Sequence, residues 1–108
     1  MAEYIVSSDD VESGIILEND TMTILDGGTA DFTTVNSSGT LYVSAGGIAD
    51  NTTVNSNGSM FVSSGGMADS ATVNEGGYFR ILSGGTAAAI VENGGFVNVA
   101  NNATALRP

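Results

Sequence analysis

Three consecutive stretches of equal length decide the fold: GGTADFTTVNSSGTLYVSA (27–45), GGIADNTTVNSNGSMFVSS (46–64) and GGMADSATVNEGGYFRILS (65–83). A fourth stretch, GGTAAAIVENGGFVNVANN (84–102), fits the same frame once one residue is deleted before Ile90. Such a fixed period is the signature of a repeat protein. We therefore predict one domain over residues 1–108, with a degenerate first turn or cap (1–26), four 19-residue repeats (27–102) and a tail (103–108).

The composition of each repeat favours strands over helices. Two Gly-containing breaks are each followed by about five residues rich in Val, Thr and aromatic side chains, which suit strands, whereas Gly is a poor helix former. Apolar residues alternate with variable ones, as at Phe79 and Ile81, which is the period of a strand with one buried face. Two inward columns are predicted: Val35, Val54, Val73 and Val91, and Ala30, Ala49, Ala68 and Ala87.

These columns predict an all-β fold, a parallel β-solenoid of about five turns. We expect two short strands in each turn, stacked about 4.8 Å above their copies in the preceding turn. Antiparallel hairpins would not preserve identical columns at a constant period. Because each turn buries few side chains, stability has to come from stacking, and the end turns need caps.

Composition and charge exclude several functions. The chain has 12 Asp or Glu, 2 Arg and no Lys, His or Cys, which gives a formal net charge of −10. The nitrogen and thiolate ligands of common zinc sites are missing, as are the usual bases and nucleophiles of acyl transfer. Nucleic-acid phosphates and anionic membranes repel such a chain. We predict a protein that is not an enzyme, carries no cofactor, binds no nucleic acid and inserts into no membrane.

Neither a membrane helix nor a secretion signal is visible in the sequence. No apolar run approaches the roughly 20 residues that a membrane helix needs. The first residues, MAEYIVSSDD, lack the basic and apolar regions of a secretion signal. We expect any export signal to lie outside this chain.

One carboxylate column, formed by Asp31, Asp50 and Asp69 and broken by Ala88, is a weak candidate for a metal site or a carboxylate pair. Adjacent turns would hold these carboxylates near the roughly 5 Å separation that retaining glycosidases use. Identical columns, however, give identical environments, whereas catalytic pairs need different ones. We favour a role for Asp at a bend, through side-chain bonds to the local backbone.

Two further polar columns are predicted to be structural. Asn36, Asn55 and Asn74, ending at Glu92, are expected to form an amide ladder along the solenoid. Thr34, Thr53 and Thr72 should point outward. Flat Thr rows line ice-binding solenoids, but a second Thr row is broken because Thr33 and Thr52 give way to Ala71, and we favour solvated strand residues.

An outward aromatic cluster is predicted on the second strand of each turn. Its members are Tyr42, Phe61, Tyr78 and Phe96, with Arg80 in the column of Tyr42 and Phe61. An exposed cluster of this kind marks an interaction surface more often than scattered residues do. The alternative, cross-strand stacking with Arg80 over a ring, has equal weight at this point.

The repeat resembles the 19-residue repeat of AIDA-type autotransporter adhesins over about residues 12–105. The shared elements are the Gly-Gly pair, the Ala two places later, Thr-Val-Asn, a second Gly-containing turn and an apolar residue four places beyond Gly39, Gly58 and Gly77. The resemblance implies a right-handed parallel β-helix from a secreted passenger on a bacterial surface. It also implies adhesion, self-aggregation and biofilm formation.

The same resemblance implies partners and a modification. Repeats of such adhesins carry heptose on Ser or Thr, placed by dedicated glycosyltransferases, which makes Ser37, Ser44, Ser56 and Ser63 candidate acceptors. The leading hypothesis is an adhesive stalk that contacts a second copy, a host surface protein or a glycan through its sides. The alternative hypotheses are a carbohydrate-binding or remnant carbohydrate-active module using Asp31, Asp50 and Asp69, and a spacer without a partner.

Overall fold

A computed structural model describes residues 3–105, and these residues form a parallel β-solenoid of about five turns. No described residue is helical, so residues 3–105 include no helix long and apolar enough to cross a membrane. Residues 1–2 of the predicted cap and 106–108 of the predicted tail lie outside the described residues. The chain measures 27 × 26 × 19 Å, so this stretch of solenoid is about as wide as it is long.

Each turn contains three strands, and the prediction of two strands per turn was wrong in this respect. The first sheet, sheet A, has the order β1-β4-β7-β10-β13-β16. Its strands are β1 (Glu3–Val6), β4 (Thr21–Ile24), β7 (Thr40–Val43), β10 (Ser59–Val62), β13 (Tyr78–Ile81) and β16 (Phe96–Val99). These four-residue strands are the ones that the apolar alternation predicts.

Two other sheets divide the remainder of each turn. Sheet B contains β2 (Val11–Ser13), β5 (Thr29–Asp31), β8 (Ile48–Asp50), β11 (Met67–Asp69), β14 (Thr86–Ala88) and β17 (Thr104–Ala105). Sheet C contains β3 (Ile16–Leu17), β6 (Thr34–Val35), β9 (Thr53–Val54), β12 (Thr72–Asn74) and β15 (Val91–Asn93). Strands of two or three residues are too short to show a period of two, which is why the sequence pattern merged sheets B and C.

The corner between sheets B and C is made by one residue in the left-handed region. This residue is Gly14, Phe32, Asn51, Ser70 or Ala89 in successive turns, with φ between 55° and 73°. The extra residue interrupts the alternation, so that Ala30, two places before it, and Thr33, directly after it, both point inward. Thr33 is therefore as fully buried as Ala30.

The two other corners are four-residue turns closed by a hydrogen bond. In one of them Gly58 N–H donates to the Asn55 carbonyl at 2.9 Å, and Asn57, the third residue of the turn, has φ 66°. A Cβ on Gly58 would lie 2.4 Å from the Val35 carbonyl oxygen of the preceding turn. The second glycine position of the repeat is therefore required by the close approach of successive turns.

The core consists of five inward columns, in which the stacked side chains are almost completely buried. The Ala column of sheet B is confirmed, as is the Val column of sheet C at Val35, Val54 and Val73. Sheet A contributes the remaining strand columns, which run through Leu41, Met60 and Phe79 and through Val43, Val62 and Ile81. The fifth column, at the B–C corner, contains Thr33, Thr52, Ala71 and Ile90.

The shortening of the last repeat lies at a different place from the one predicted. Val91 pairs with Thr72 and Glu92 pairs with Val73, so no residue is missing before Ile90. Phe96 then pairs with Tyr78, which places the missing residue after Asn93, in the corner that leads to sheet A. As a consequence Val91 is 44% exposed and does not continue the buried Val column, contrary to the prediction.

Candidate interaction surface

Four aromatic side chains form a continuous line on the outer face of sheet A, and we call this line the aromatic strip. Its members, in order along the solenoid, are Tyr42, Phe61, Tyr78 and Phe96. All four stand at outward positions of β7, β10, β13 and β16, where they alternate with the buried columns. The structure thus brings together the four rings that the sequence placed on one face.

The aromatic strip changes column half-way along its length. Tyr42 and Phe61 are register partners on β7 and β10, and Arg80 follows them in the same column on β13. Tyr78 and Phe96 are register partners in the neighbouring outward column. The contact between Phe61 and Tyr78 is therefore diagonal, and the strip continues although Arg80 replaces an aromatic residue in the first column.

Ring geometry shows which parts of the rings meet solvent. Tyr42 stacks on Phe61 with centroids 5.4 Å apart, and Tyr78 stacks on Phe96 at 5.3 Å, with interplanar angles of 17° and 10°. Phe61 and Tyr78 make an edge-on contact at 5.9 Å and 62°. These separations are typical of favourable aromatic pairs. Because the stacked rings cover each other's faces, the strip presents mainly ring edges to a partner.

Exposure of the aromatic strip is greatest at its two ends. Tyr42 is 42% exposed and Phe96 is 58% exposed, whereas Phe61 and Tyr78 are half-buried. Arg80 is exposed beside the strip, and none of the ring contacts within residues 3–105 involves it. Cross-strand stacking of rings is therefore present, while the predicted placement of Arg80 over a ring is not among these contacts.

The charge around the aromatic strip differs from that of the chain as a whole. Strands β7, β10, β13 and β16 contain no Asp or Glu, although the net charge is −10. Arg80 lies on this face and is the only basic residue between positions 3 and 105. Eight of the 12 carboxylates lie between Glu3 and Asp31, towards the first turns. The absence of carboxylates on these four strands reduces the repulsion that a second acidic surface would meet at the strip.

Comparison with protein families identifies the repeat. The family model AIDA, described as "Adhesin of bacterial autotransporter system, probable stalk", matches residues 24–77, which is half of the chain. The chain belongs to the AIDA adhesin family. It is a segment of an autotransporter adhesin passenger, as the resemblance of the repeats predicted.

A solved structure has a similar fold over almost the whole of this chain. A fragment of TibA, hyper-glycosylated by TibC, is similar with a TM-score of 0.69 and 27% identity over 95% of this chain. The chain spans about half of that structure, 48% of its length. No curated protein has a significantly similar sequence.

The Asp column of this AIDA repeat lies at the ends of β5, β8 and β11. Asp31, Asp50 and Asp69 are register partners and are half-buried on the outer face of sheet B. Asn51 Nδ2 donates to Asp31 Oδ1 at 3.2 Å, and Ser70 Oγ donates to Asp69 Oδ1 at 3.4 Å. Within residues 3–105 no three His, Cys, Asp or Glu side chains are placed to hold a metal ion. Both of these partners are side chains at the corner between sheets B and C, and not the local backbone groups that the sequence analysis expected.

The Asn column forms an amide ladder that extends one turn beyond the prediction. Each Nδ2 donates to the Oδ1 of the preceding turn, at 2.8 Å from Asn55 to Asn36, 2.7 Å from Asn74 to Asn55 and 3.0 Å from Asn93 to Asn74. The ladder ends at Asn93 and not at Glu92, because the missing residue lies after Asn93. The ladder connects successive turns at the place where sheet C ends and the corner to sheet A begins.

The candidate glycosylation sites occupy two different corners. Ser37 and Ser56 are exposed in the turns between sheets C and A, one repeat apart. Ser44 and Ser63 are half-buried at the first position of the turns between sheets A and B. The backbone N–H groups of Ser44 and Ser63 donate to the carbonyl oxygens of Ile24 and Val43 in the preceding turn, both at 2.9 Å. The four predicted acceptors therefore form two stacked pairs that differ in exposure.

Two features of the structure are missed by the sequence prediction. The hydroxyl groups of Thr33 and Thr52 are buried and have no hydrogen-bond partner among the described residues. Ile90 in the same column would have revealed that these positions point inward, but the misplaced deletion hid this alignment. Phe32 has φ 56° and is 59% exposed. No sequence signal marks a left-handed Phe, since this conformation is unfavourable for bulky residues.

Proposed function

We propose that this chain is a non-enzymatic stalk segment displayed on a bacterial surface, and that it associates laterally with a second copy through the aromatic strip. The observation that carries the proposal is a line of four contacting rings on strands that have no carboxylate, in a chain of net charge −10. Aromatic side chains are enriched where protein surfaces meet. Weak contacts of this kind gain strength when many copies stand on one cell.

The aromatic strip predicts how association should depend on salt. Two copies with the same strong negative charge repel each other, and added salt screens this repulsion. Contact between ring edges and small polar residues is much less sensitive to salt. Lateral association should therefore become stronger as the salt concentration rises.

Sedimentation velocity over a wide range of concentrations, at low and high salt, tests this proposal. The variant Tyr42→Ser/Phe61→Ser should lose association and keep its far-ultraviolet circular dichroism. A matched control is Ile48→Ser/Met67→Ser, because these side chains are exposed to 40% and 38% on sheet B. Equal association of both variants and the wild type would contradict a role for the strip. If the wild type is a monomer in all conditions, two possibilities remain: a spacer without a partner, or a stalk that binds a molecule other than a second copy.

Carbohydrate recognition remains the alternative proposal, with Asp31, Asp50 and Asp69 as its candidate residues. The stacked rings offer few free faces for a sugar, so this alternative rests on the Asp column. A glycan array with the wild type and Asp50→Asn separates the two proposals. Saturable binding that is lost in Asp50→Asn would favour carbohydrate recognition, and an array without binding would count against it.

We also propose that a glycosyltransferase modifies the chain at serine. Support comes from the similarity to the TibA fragment that TibC hyper-glycosylates, and from the exposure of Ser37 and Ser56. Intact-mass measurement after incubation with TibC and its sugar donor tests this proposal. Ser37→Ala/Ser56→Ala should remove more added mass than Ser44→Ala/Ser63→Ala, because the second pair is half-buried. An unmodified wild type would refute the proposal for this transferase.

A further inference from the structure

The outer face of sheet B differs from the aromatic strip in composition, and we call it the B face. Each of its inner strands has two outward residues, two places apart, so the face consists of two columns. The first column contains Thr29, Ile48, Met67 and Thr86, and the second contains Asp31, Asp50, Asp69 and Ala88. Ile48 and Met67 are exposed, and the carboxylates beside them are half-buried. The B face is therefore apolar along one column and acidic along the other.

The outer face of sheet A has the same arrangement of two columns. Tyr78 and Phe96 stand in its first column, and Arg80 and Asn98 stand beside them in the second. Neither β13 nor the adjoining strands β10 and β16 contain Asp or Glu, so no carboxylate lies beside Arg80 on these strands. Sheet A thus combines aromatic rings with a cation, where the B face combines aliphatic side chains with carboxylates.

The exposed guanidinium group of Arg80 disfavours contact between two strips. In such an isologous contact each group of one copy is repeated in the other. Two Arg80 side chains would then enter an interface whose strip strands contain no carboxylate. Removing charged groups from water without a partner is unfavourable. A B face in place of the second strip would supply the carboxylates.

The two faces also fit in register, because their strands have the same spacing of about 4.8 Å. If the facing strands run in the same direction, the first column of one face meets the first column of the other. The two solenoid axes then point in opposite directions. In this arrangement Tyr78 of one copy would cover Met67 of the other. Arg80 would reach Asp69 in the neighbouring column.

The turns on either side of this pair are complementary as well. One turn further along sheet A, Phe96 would cover Ile48. Asn98 would lie opposite Asp50, where its amide N–H groups can donate to the carboxylate. One turn back, the ring of Phe61 would meet a small side chain, because Ala88 interrupts the carboxylate column.

We propose that the aromatic strip of one copy binds the B face of a second copy, with Arg80 opposite Asp69. The proposal rests on the lateral association proposed above and specifies its partner surface. Electrostatic complementarity of this kind fixes the register of an interface and suppresses wrong pairings. Because the two surfaces differ, each copy can bind one neighbour through its strip and another through its B face. Association therefore continues beyond a dimer.

Exchange of the two charges, followed by sedimentation velocity, tests this contact. Asp69→Arg places two cations opposite each other and should weaken association on the order of 10-fold. Repulsion between whole molecules predicts the opposite change, because this substitution makes the chain less acidic. Arg80→Asp should weaken association as well. An equimolar mixture of Arg80→Asp and Asp69→Arg should restore it, because every contact between unlike copies then pairs an acid with an arginine.

A matched control changes the net charge by the same amount outside both faces. Glu18→Arg lies at an exposed position in the corner between sheets C and A. It should associate at least as strongly as the wild type. Equal weakening in Glu18→Arg and Asp69→Arg would overturn the proposal, and so would a mixture of the exchanged variants that does not associate.

Substitution of the apolar column separates this contact from a contact between two strips. Ile48→Ser/Met67→Ser should lose association if the strip binds the B face, whereas contact between two strips leaves it unchanged. Ile16→Ser/Val91→Ser removes two exposed apolar side chains from sheet C and should associate like the wild type.

The outcomes distinguish this inference from the proposed function. Full association of Asp69→Arg and of Ile48→Ser/Met67→Ser, with loss in Tyr42→Ser/Phe61→Ser, would refute the B face and leave lateral association through the strip standing. A wild type that stays monomeric in all conditions would refute both.

Discussion

The inner turns and the end turns of this solenoid have the same repeat but different physical environments. Between Thr29 and Ile81 every strand has a copy above and below, and the inward side chains are fully buried. In the described part of the chain, six of 11 exposed large apolar residues belong to the first and last turns. They are Ile5, Val11, Ile16, Val91, Phe96 and Val99. A repeat of this size gains its core only from its neighbours.

This difference shows that side chains of the same column do not contribute the same free energy of unfolding in every turn. The same column contains Phe79 with no exposure and Val97 with partial exposure, because one is covered on both sides and the other on one. The same holds for the Ala column, where Ala30 is buried and Glu12 is tolerated. Substitutions in matched pairs along one column can therefore measure what the neighbouring turn contributes.

The largest expected difference concerns Phe79 and Val97, which are register partners. Phe79→Ala leaves a cavity in the middle of the core and should lower the free energy of unfolding by about 3–5 kcal/mol. Val97→Ala removes a smaller and partly exposed side chain and should cost about 1 kcal/mol. Urea unfolding, followed by circular dichroism, measures both. Equal losses would show that the last turn is as well packed as the inner ones.

A glycine pair gives the second contrast. Gly58→Ala would place a Cβ 2.4 Å from the Val35 carbonyl oxygen, and we expect a loss of more than about 2 kcal/mol of unfolding free energy. Gly14→Ala at the end meets no atom within 4 Å, and only its φ of 73° opposes the substitution. Its cost should be about 1 kcal/mol. Thermal unfolding of both variants checks this order, and a larger loss for Gly14→Ala would contradict it.

The amide ladder provides a smaller contrast between the middle and the end. Asn55 takes part in two side-chain hydrogen bonds, with Asn36 and with Asn74, whereas Asn93 takes part in one at an exposed position. Asn55→Ala should lower the free energy of unfolding by about 1–2 kcal/mol and Asn93→Ala by about 0.5 kcal/mol. Chemical denaturation measures both values. A ladder without energetic value would give two variants that equal the wild type.

The same contrast explains how much of the structure could be predicted from the sequence. Inner turns repeat without insertion, so the constant period fixes the register of Tyr42 with Phe61 and the outward direction of the aromatic strip. The third sheet was missed because Thr34–Val35 is too short to alternate visibly. In the last turn the deletion has several placements that fit the sequence, and only the pairing of Val91 with Thr72 decides between them.

Sequence reasoning also could not recognise the left-handed corner, because five different residues occupy it in successive turns. If the alternation is counted forward from the inward residues Ala30 and Ala49 without this corner, Thr33 and Thr52 fall at outward positions. The corner residue is one extra residue between the two strands, and it shifts the alternation so that both Thr side chains point inward. The candidate interaction surface was predictable for a different reason, since its four residues lie on the longest and most regular strands.

The final contrast lies within one column of the core. Thr33 and Thr52 have buried hydroxyl groups that find no hydrogen-bond partner within residues 3–105, whereas Ala71 and Ile90 have no hydroxyl group. A buried hydroxyl without a hydrogen bond costs free energy, and Val has nearly the same shape as Thr without this cost. Thr52→Val should therefore raise the free energy of unfolding by about 1 kcal/mol, measured by urea unfolding. Thr53→Val, at the neighbouring outward position, is the matched control, because its side chain is partly exposed and gains little from the change. Equal stabilisation of both variants would attribute the gain to strand propensity, whereas a loss in Thr52→Val alone would mean that the hydroxyl group has a partner in solution.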